Sequence, residues 1–356
     1  MIKTNEIVNK ITGYFIKMGY SLEKPTYLIS SVFPETFNPS AAHGQVMEII
    51  SNNYPLKHPR KFFVIEQCFR HVDLDKVGRN HHSAFFQMAA YVFGTSFTQL
   101  SKKQIIEETY KFLTQELNLD NNKIFITIFG GGRVKNLEFK PDKESFEIWK
   151  NLGISEDRII MIPGENNFIY LQREGDAAGP RCEIYYDRGI SYKSNRYVEI
   201  GSVIFETYYF SRGQLHQSKN AVAGGAFGIE RLAMILNEAN TIYQIDNFSP
   251  LISIVNSYIT NKNISNLFST ELYILVDYLK ATVFIITSGQ VMDKSKRGEI
   301  LKKLIRVMTS KVKFFGIKDK KIYEKLVDKA IDLYKEQYPE LKKNRKNILK
   351  IINEVK

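Results

Sequence analysis

The run EQCFRHVDLDKVGRNHHSAFFQMAAYVFG, residues 66–94, holds an arginine, two aspartates two apart, two adjacent histidines and an apolar alternating tail. A metal site, a basic surface loop and a nucleotide-binding hairpin could each use such residues. If KFFVIEQCFR is a strand, its period of two puts Val64, Glu66, Cys68 and Arg70 on one face and Phe63, Ile65, Gln67 and Phe69 on the other. Arg70 then stands at the strand end, where a guanidinium can reach a phosphate while its backbone stays fixed in the sheet. In the strand that returns, Phe86, Met88 and Ala90 share a face. His81 and His82 are adjacent, so in extended backbone they point opposite ways and make poor co-ligands for one ion. No zinc is expected here. Asp73 and Asp75 read as solvated loop residues.

A second run, VAGGAFGIERLAMIL at 222–236, leads three glycines into an apolar helical pattern, as where backbone must approach a ligand or another element closely. It fits neither a phosphate loop nor a dinucleotide fingerprint, and GGG at 130–132 fits neither and reads as a turn. Arg231 falls one turn into the helix. Two further runs bring carboxylates: GDAAGPRCEIYYDRG carries Glu183 on a strand fed by a loop, and RYVEIGSVIFETYYF carries Glu199. Buried carboxylates need partners, and a magnesium nucleotide or salt bridges to Arg70 or Arg231 would serve equally.

The elements that must position these residues show in the hydrophobic spacing. Residues 5–18 and 102–117 read as amphipathic helices, the second with Ile105, Ile106, Tyr110, Phe112 and Leu113 at helical spacing. YLISSVFPETF, KFFVIEQCF, SAFFQMAAYVF, KIFITIFG, RIIMI, CEIYYD and RYVEIGSVIFETYYF are rich in aromatic and β-branched residues and read as strands. From about residue 250 the spacing becomes helical, with Ile300, Leu301, Leu304, Ile305 and Met308 in one stripe. Strands with a few helices, then an all-helical end, predict an α+β fold with a mainly antiparallel β-sheet. The boundary falls at the NFSP turn, giving an α+β domain over 1–248 and a basic helical domain over 249–356.

A chain of 356 residues that is 44% hydrophobic and 25% charged has the balance of a globular protein and is long enough for about two domains. No apolar run approaches the ~18 residues of a membrane span and the N-terminus lacks a signal-peptide pattern, so no membrane partner and a cytoplasmic location are expected. Cys68 and Cys182 lie in unrelated contexts and read as small buried residues. The net charge of +12 is local: residues 294–356 hold 20 basic and 8 acidic residues, so the whole excess lies there. That is either a solubilising face or a footprint for a polyanion such as nucleic acid.

Taken in order, these runs resemble the catalytic core of the alanyl-tRNA synthetases, a family of class II aminoacyl-tRNA synthetases, from near the N-terminus to about residue 310. The counterparts of the family motifs are CFRHVDLDKVGRNHHSAFFQMAAYVF, AAGPRCEIYYD, RYVEIGSVIFETYYF and AGGAFGIERL, with DKESFEIWKNLGISEDRIIMI between them. The resemblance implies ATP-dependent amino acid activation: an aminoacyl-adenylate forms and the aminoacyl group passes to tRNA, with ATP and Mg2+ required. It implies that Arg70 binds the α-phosphate and stabilises the pentacovalent transition state, and that Arg231 holds the γ-phosphate side. Phe86, Gln87 and Met88 would lie at the nucleotide, Gln87 standing where the family has glutamate. Glu183 and Glu199 would hold the metal through Mg-ATP.

Departures cluster in the implied amino-acid pocket. Gly224 stands where the family has the aspartate that pairs with the substrate ammonium, Gly201 and Ser202 where it has tryptophan and asparagine, and Ile169 where it has another tryptophan. These changes remove a counter-charge and enlarge the pocket, which argues against alanine. Glu206, where the family has an apolar residue or methionine, could supply a replacement anion. In the helical end, SGQVMDKSKRGEILKKLIRVM resembles the acceptor-stem-binding segment, so Lys294, Lys296, Arg297, Lys302, Lys303 and Arg306 are expected to meet tRNA. The family's editing and dimerising domains have no counterpart, and the chain reads as a truncated paralogue. Two other functions follow from the same departures: a ligase that activates a non-alanine amino acid for a non-tRNA acceptor, such as a carrier protein or small molecule, and a non-catalytic amino acid or tRNA-binding regulator.

Overall fold

The computed structural model describes residues 1–52, 54–79, 81–96, 100–170, 172–259 and 267–354. The chain lays down β1 (Ser21–Leu22), β2 (Arg60–Phe69), β3 (Phe85–Ser96), β4 (Ile124–Phe129), β5 (Gly132–Val134), β6 (Leu137–Phe139), β7 (Ile159–Ile162), β8 (Phe168–Ile169), β9 (Ala177–Asp187), β10 (Tyr197–Ser211) and β11 (Gln214–Gly228). Nine of these form one sheet in the order β1-β2-β3-β11-β10-β9-β4-β7, with β8 paired to β9, while β5 and β6 form a separate hairpin. Only the outer pairs β1 with β2 and β4 with β7 are parallel. The body of the sheet is antiparallel, as expected.

Helices α1 (Thr4–Lys17), α2 (His43–Ile50), α3 (Lys102–Lys111), α4 (Lys143–Asn151) and α5 (Ile229–Leu236) accompany the sheet. They are followed by α6 (Ser249–Tyr258), α7 (Ser269–Thr287), α8 (Lys296–Phe314), α9 (Lys321–Tyr334) and α10 (Glu340–Glu354). The predicted helix over 102–117 is regular only to Lys111 and closes in a π-turn, Phe112–Glu116. YLISSVFPETF is not a strand: its residues run through bends and turns, and the carbonyls of Ser30, Phe33 and Thr36 accept from the Arg297 guanidinium instead of a ladder.

Alternation along the central strands divides their side chains between two sides. On the back, Phe63, Phe69, Phe85, Tyr91, Phe205 and Phe227 enter a core that also takes in α1, α3, α5 and the C-terminal helices. Phe85 stacks on Phe284 of α7 at 4.3 Å, and the buried Asp277 carboxylate accepts the Ala84 N–H at 3.1 Å. The helical end is therefore packed against the sheet through shared apolar surface. On the front, Phe62, Val64, Ala90, Val92, Val222 and Ala226 meet Val46, Ile49 and Ile50 of α2. This smaller cluster covers only part of that face. The rest is a cleft.

Candidate active site

Every strand that reaches the cleft contributes by alternation. Met88, Ala90 and Val92 of β3 are in register with Gly228, Ala226 and Gly224 of β11, and these in turn with Ser202 and Ile204 of β10. Ser202 faces Glu183 of β9 and Ile204 faces Arg181. One end of the cleft is lined by Arg70, His81, His82, Phe86, Glu199 and Arg231. Arg70 and Arg231 thus open into the same cavity, one from the end of β2 and the other from the first turns of α5.

Both guanidiniums are held before any ligand arrives. Arg70 donates from Nε to the Pro39 carbonyl at 2.8 Å and from Nη2 to Met88 Sδ at 3.8 Å, and its charge lies 5.0 Å from the centre of the Phe86 ring. Arg231 donates from Nη1 to both the carbonyl and the carboxylate of Glu199, at 2.9 and 3.0 Å. Glu199 therefore makes the arginine ion pair, and it is also a wall of the cleft. Glu183 is paired with Arg181 and accepts from the Tyr185 hydroxyl at 2.8 Å.

The pair Glu183 and Glu199 is compatible with Mg2+, a hard cation that usually takes one or two carboxylates and completes its shell with phosphates and water. Both carboxylates reach one cavity together with Arg70, and Glu199 gives only Oε2 to Arg231. Among the described residues no group of three or more His, Cys, Asp or Glu side chains is arranged to hold a metal by itself.

The two histidines do not point apart as extended backbone would have them. Their chain segment is a turn, and the rings lie 4.3 Å apart. His81 shares a hydrogen bond of 3.1 Å with Asn195, and burial, helped by Arg231 and His82, lowers its pKa to about 4. Burial and Arg231 also lower that of His82. Two neutral rings leave the arginines as the positive charge at this end.

From Met88, Glu199 and Ser202 the cleft continues into a cavity of about 280 Å3 lined by His43, Tyr91, Ile169, Ile204, Glu206 and Gly224 among others. Gly201 lines the arginine end. A Cβ at Gly224 would fall on the Tyr91 carbonyl oxygen, and one at Gly201 would come within 2.6 Å of the Ala226 carbonyl oxygen. The strands approach too closely for any larger residue, so these glycines set the shape of the cavity.

Gln87 is placed elsewhere. It alternates with Phe86 and Met88, so its side chain points to the back of the sheet, where it donates to Tyr338 at 2.9 Å and Gln337 at 3.1 Å. It is 1% exposed and lines neither cavity, so its assignment to the nucleotide is corrected to an anchor for the helical end. Arg297 is corrected too: its three carbonyl acceptors fasten the 30–36 loop to α8 and leave it half-buried. Lys294, Lys296, Lys303 and Arg306 are exposed, and Lys302 lies 3.7 Å from Glu299.

One cluster leaves no trace in the local sequence. Asp176, fully buried, accepts from Arg173 at 2.9 Å and pairs with His43 at 3.0 Å, and His43 forms the wall of the cavity. Burial would raise the Asp176 carboxyl, but His43 and Arg173 hold it below its ordinary range. Its members lie up to 133 positions apart, and no motif announces them.

Residues 6–356 match the family model described as tRNA synthetases class II (A). An alanine–tRNA ligase of Wolbachia pipientis is 29% identical over 348 residues, covering 94% of this chain and 37% of that protein. One from Francisella philomiragia is 28% identical over 370 residues, covering 99% and 40%. The chain thus spans about two fifths of the length of these relatives. Among solved structures, apo histidyl-tRNA synthetase of Staphylococcus aureus superposes with a TM-score of 0.42 at 12% identity, over 75% of this chain and 82% of that one.

Proposed function

Because the chain belongs to the class II (A) tRNA synthetases, we propose that its cleft activates an amino acid with ATP and delivers the aminoacyl group to a tRNA acceptor end. The observation that carries this reading is that Arg70 and Arg231 line one cavity, with Glu199 on its wall and bonded to Arg231. An amino-acid carboxylate oxygen attacks the α-phosphorus, the bond to the bridging oxygen breaks, and pyrophosphate leaves with that electron pair. Two anions must meet for this to happen, so fixed positive charge at the reacting phosphate lowers the barrier. Arg70 is fixed at the strand end and faces the site of attack. Arg231, bonded to both the carbonyl and the carboxylate of Glu199, can exchange the carboxylate for the departing phosphates. Bound Mg2+, held by Glu199 and Glu183, would neutralise the phosphates. Phe86 and Met88 give the nucleotide an apolar wall.

For the acceptor, the exposed Lys294, Lys296, Lys303 and Arg306 offer phosphate contacts on a surface that is positively charged as a whole. Among the described residues no helix is long and apolar enough to cross a membrane, in keeping with a cytoplasmic site of action. Amino-acid-dependent exchange of labelled pyrophosphate into ATP tests the first half-reaction. Exchange with at least one amino acid is expected, and none over a full panel would reject it.

A further inference from the structure

In the part of the cleft that Arg231 does not line stands Glu206. Ser202, Ile204 and Glu206 of β10 face the same cavity, opposite Ala226, Gly224 and Val222 of β11. Glu206 is 9% exposed, and among the described residues no hydrogen bond or ion pair reaches its carboxyl. The charged groups around it do not compensate. Asp176 repels it, while His43 and Arg173 are already committed to Asp176. Arg181 is paired with Glu183 and Arg231 with Glu199, and Arg70 is held at Pro39 and Met88. An ionised acid in such surroundings is costly, so alone the carboxyl keeps its proton, and it can give the proton up when a cation is placed beside it.

The carboxyl opens onto the cavity, where a ligand can reach it. At a rise of ~3.3 Å per residue, Glu206 lies on the order of 13 Å along β10 from Ser202, which lines both ends of the cleft. A leaning glutamate shortens this by a few ångströms, yet an α-ammonium adjoining the reacting carboxylate remains too near the arginines to reach it. A group at the tip of a long side chain does reach it. Gly224 offers no competing acid, and its close approach to Tyr91 bars one. We propose that Glu206 receives the cationic tip of a basic amino acid, an ammonium or guanidinium on a side chain of several methylenes, and so sets the substrate class of this cleft.

The inference rests on the reading that the cleft receives an amino acid, but it can be tested without turnover. Calorimetric titration of the full chain with L-lysine, L-arginine and L-ornithine, against the neutral L-norleucine, L-citrulline and L-alanine, measures the preference directly. At least one basic amino acid is expected to bind ten times more tightly than its neutral counterpart, and E206Q and E206M are each expected to abolish that ratio. Since Glu206 titrates near 8, binding at pH 7 should also release a proton, seen as a heat that varies with the buffer and vanishes in E206Q. Equal affinities for lysine and norleucine, a preference for alanine, or a preference surviving both substitutions overturns the proposal. Pyrophosphate exchange run in parallel separates the two readings. Tight lysine or arginine binding without exchange would refute activation and keep this assignment. Exchange with alanine alone would do the reverse, and no binding of any amino acid refutes both.

Discussion

Arg70 and Arg231 differ in how firmly each is held, and this predicts how their loss will show. Arg70 is bonded to a main-chain carbonyl and a thioether, so R70A leaves no charge unpaired. Removing one such fixed donor costs about 3 kcal/mol in the transition state, a fall in exchange rate of roughly a hundredfold or more, with little change in melting temperature expected. R231A should lose a similar factor and also free the Glu199 carboxylate. Glu206 gives a pH signature. Burial raises its carboxyl from 4.5 to about 8, so the folded protein binds this proton more tightly than the unfolded chain. The fold then loses stability as pH rises from 4.5 through 8, by an amount on the order of a few kcal/mol. E206Q should melt at a higher temperature than the parent at pH 8.5 and at nearly the same one at pH 4.5; parallel pH curves for the two proteins would contradict this. Both arginines are legible in the sequence because one ends an alternating strand and the other follows a glycine-rich strand directly into a helix. Gln87 is harder, since the family resemblance places it at the nucleotide while alternation sends it away from Phe86 and Met88. The period of two prevails, because it is fixed by the backbone.

At the level of elements, the antiparallel strands and the C-terminal helices can be read because hydrophobic spacing and burial agree along them. The segment 27–37 cannot. Its aromatic and β-branched residues suit a strand, but with Pro34 inside it and Arg297 drawing its carbonyls away, the backbone satisfies itself outside any ladder. The glycines of β11 lead directly into α5, as expected, and they do so from within a central strand, where they allow the close approach to β3. G224A therefore places a methyl on the Tyr91 carbonyl and should destabilise by about 1–3 kcal/mol through strand displacement, measured as a lowered denaturation midpoint. An unchanged midpoint would mean that β3 and β11 part more easily than their packing indicates.

Over the whole molecule, the excess charge is separated from the cleft proposed to form the adenylate. The basic excess belongs to residues 294–356, which follow the strands in the chain and pack behind the sheet. Replacing Lys294, Lys296, Lys303 and Arg306 by alanine should weaken tRNA binding uniformly and flatten its dependence on salt by roughly 0.7–0.9 for each phosphate no longer neutralised. Binding measured between about 50 and 200 mM salt tests this, and an unaltered slope would show that other residues meet the phosphates. Composition locates this charge but cannot show that Arg297 is spent on three carbonyls, because those partners lie more than 260 positions earlier. Strand β3 joins the two regions. Phe86 and Met88 face the cleft while Phe85 and Gln87 grip α7 and the residues before α10. Deleting one residue from β3 would exchange these roles, turning side chains that line the cleft inward and those that hold the helices outward. Substitution at constant length is therefore the change that can retune what this cleft accepts with the sheet intact, and Gly201, Ser202, Glu206 and Gly224, on its walls, are the positions to alter.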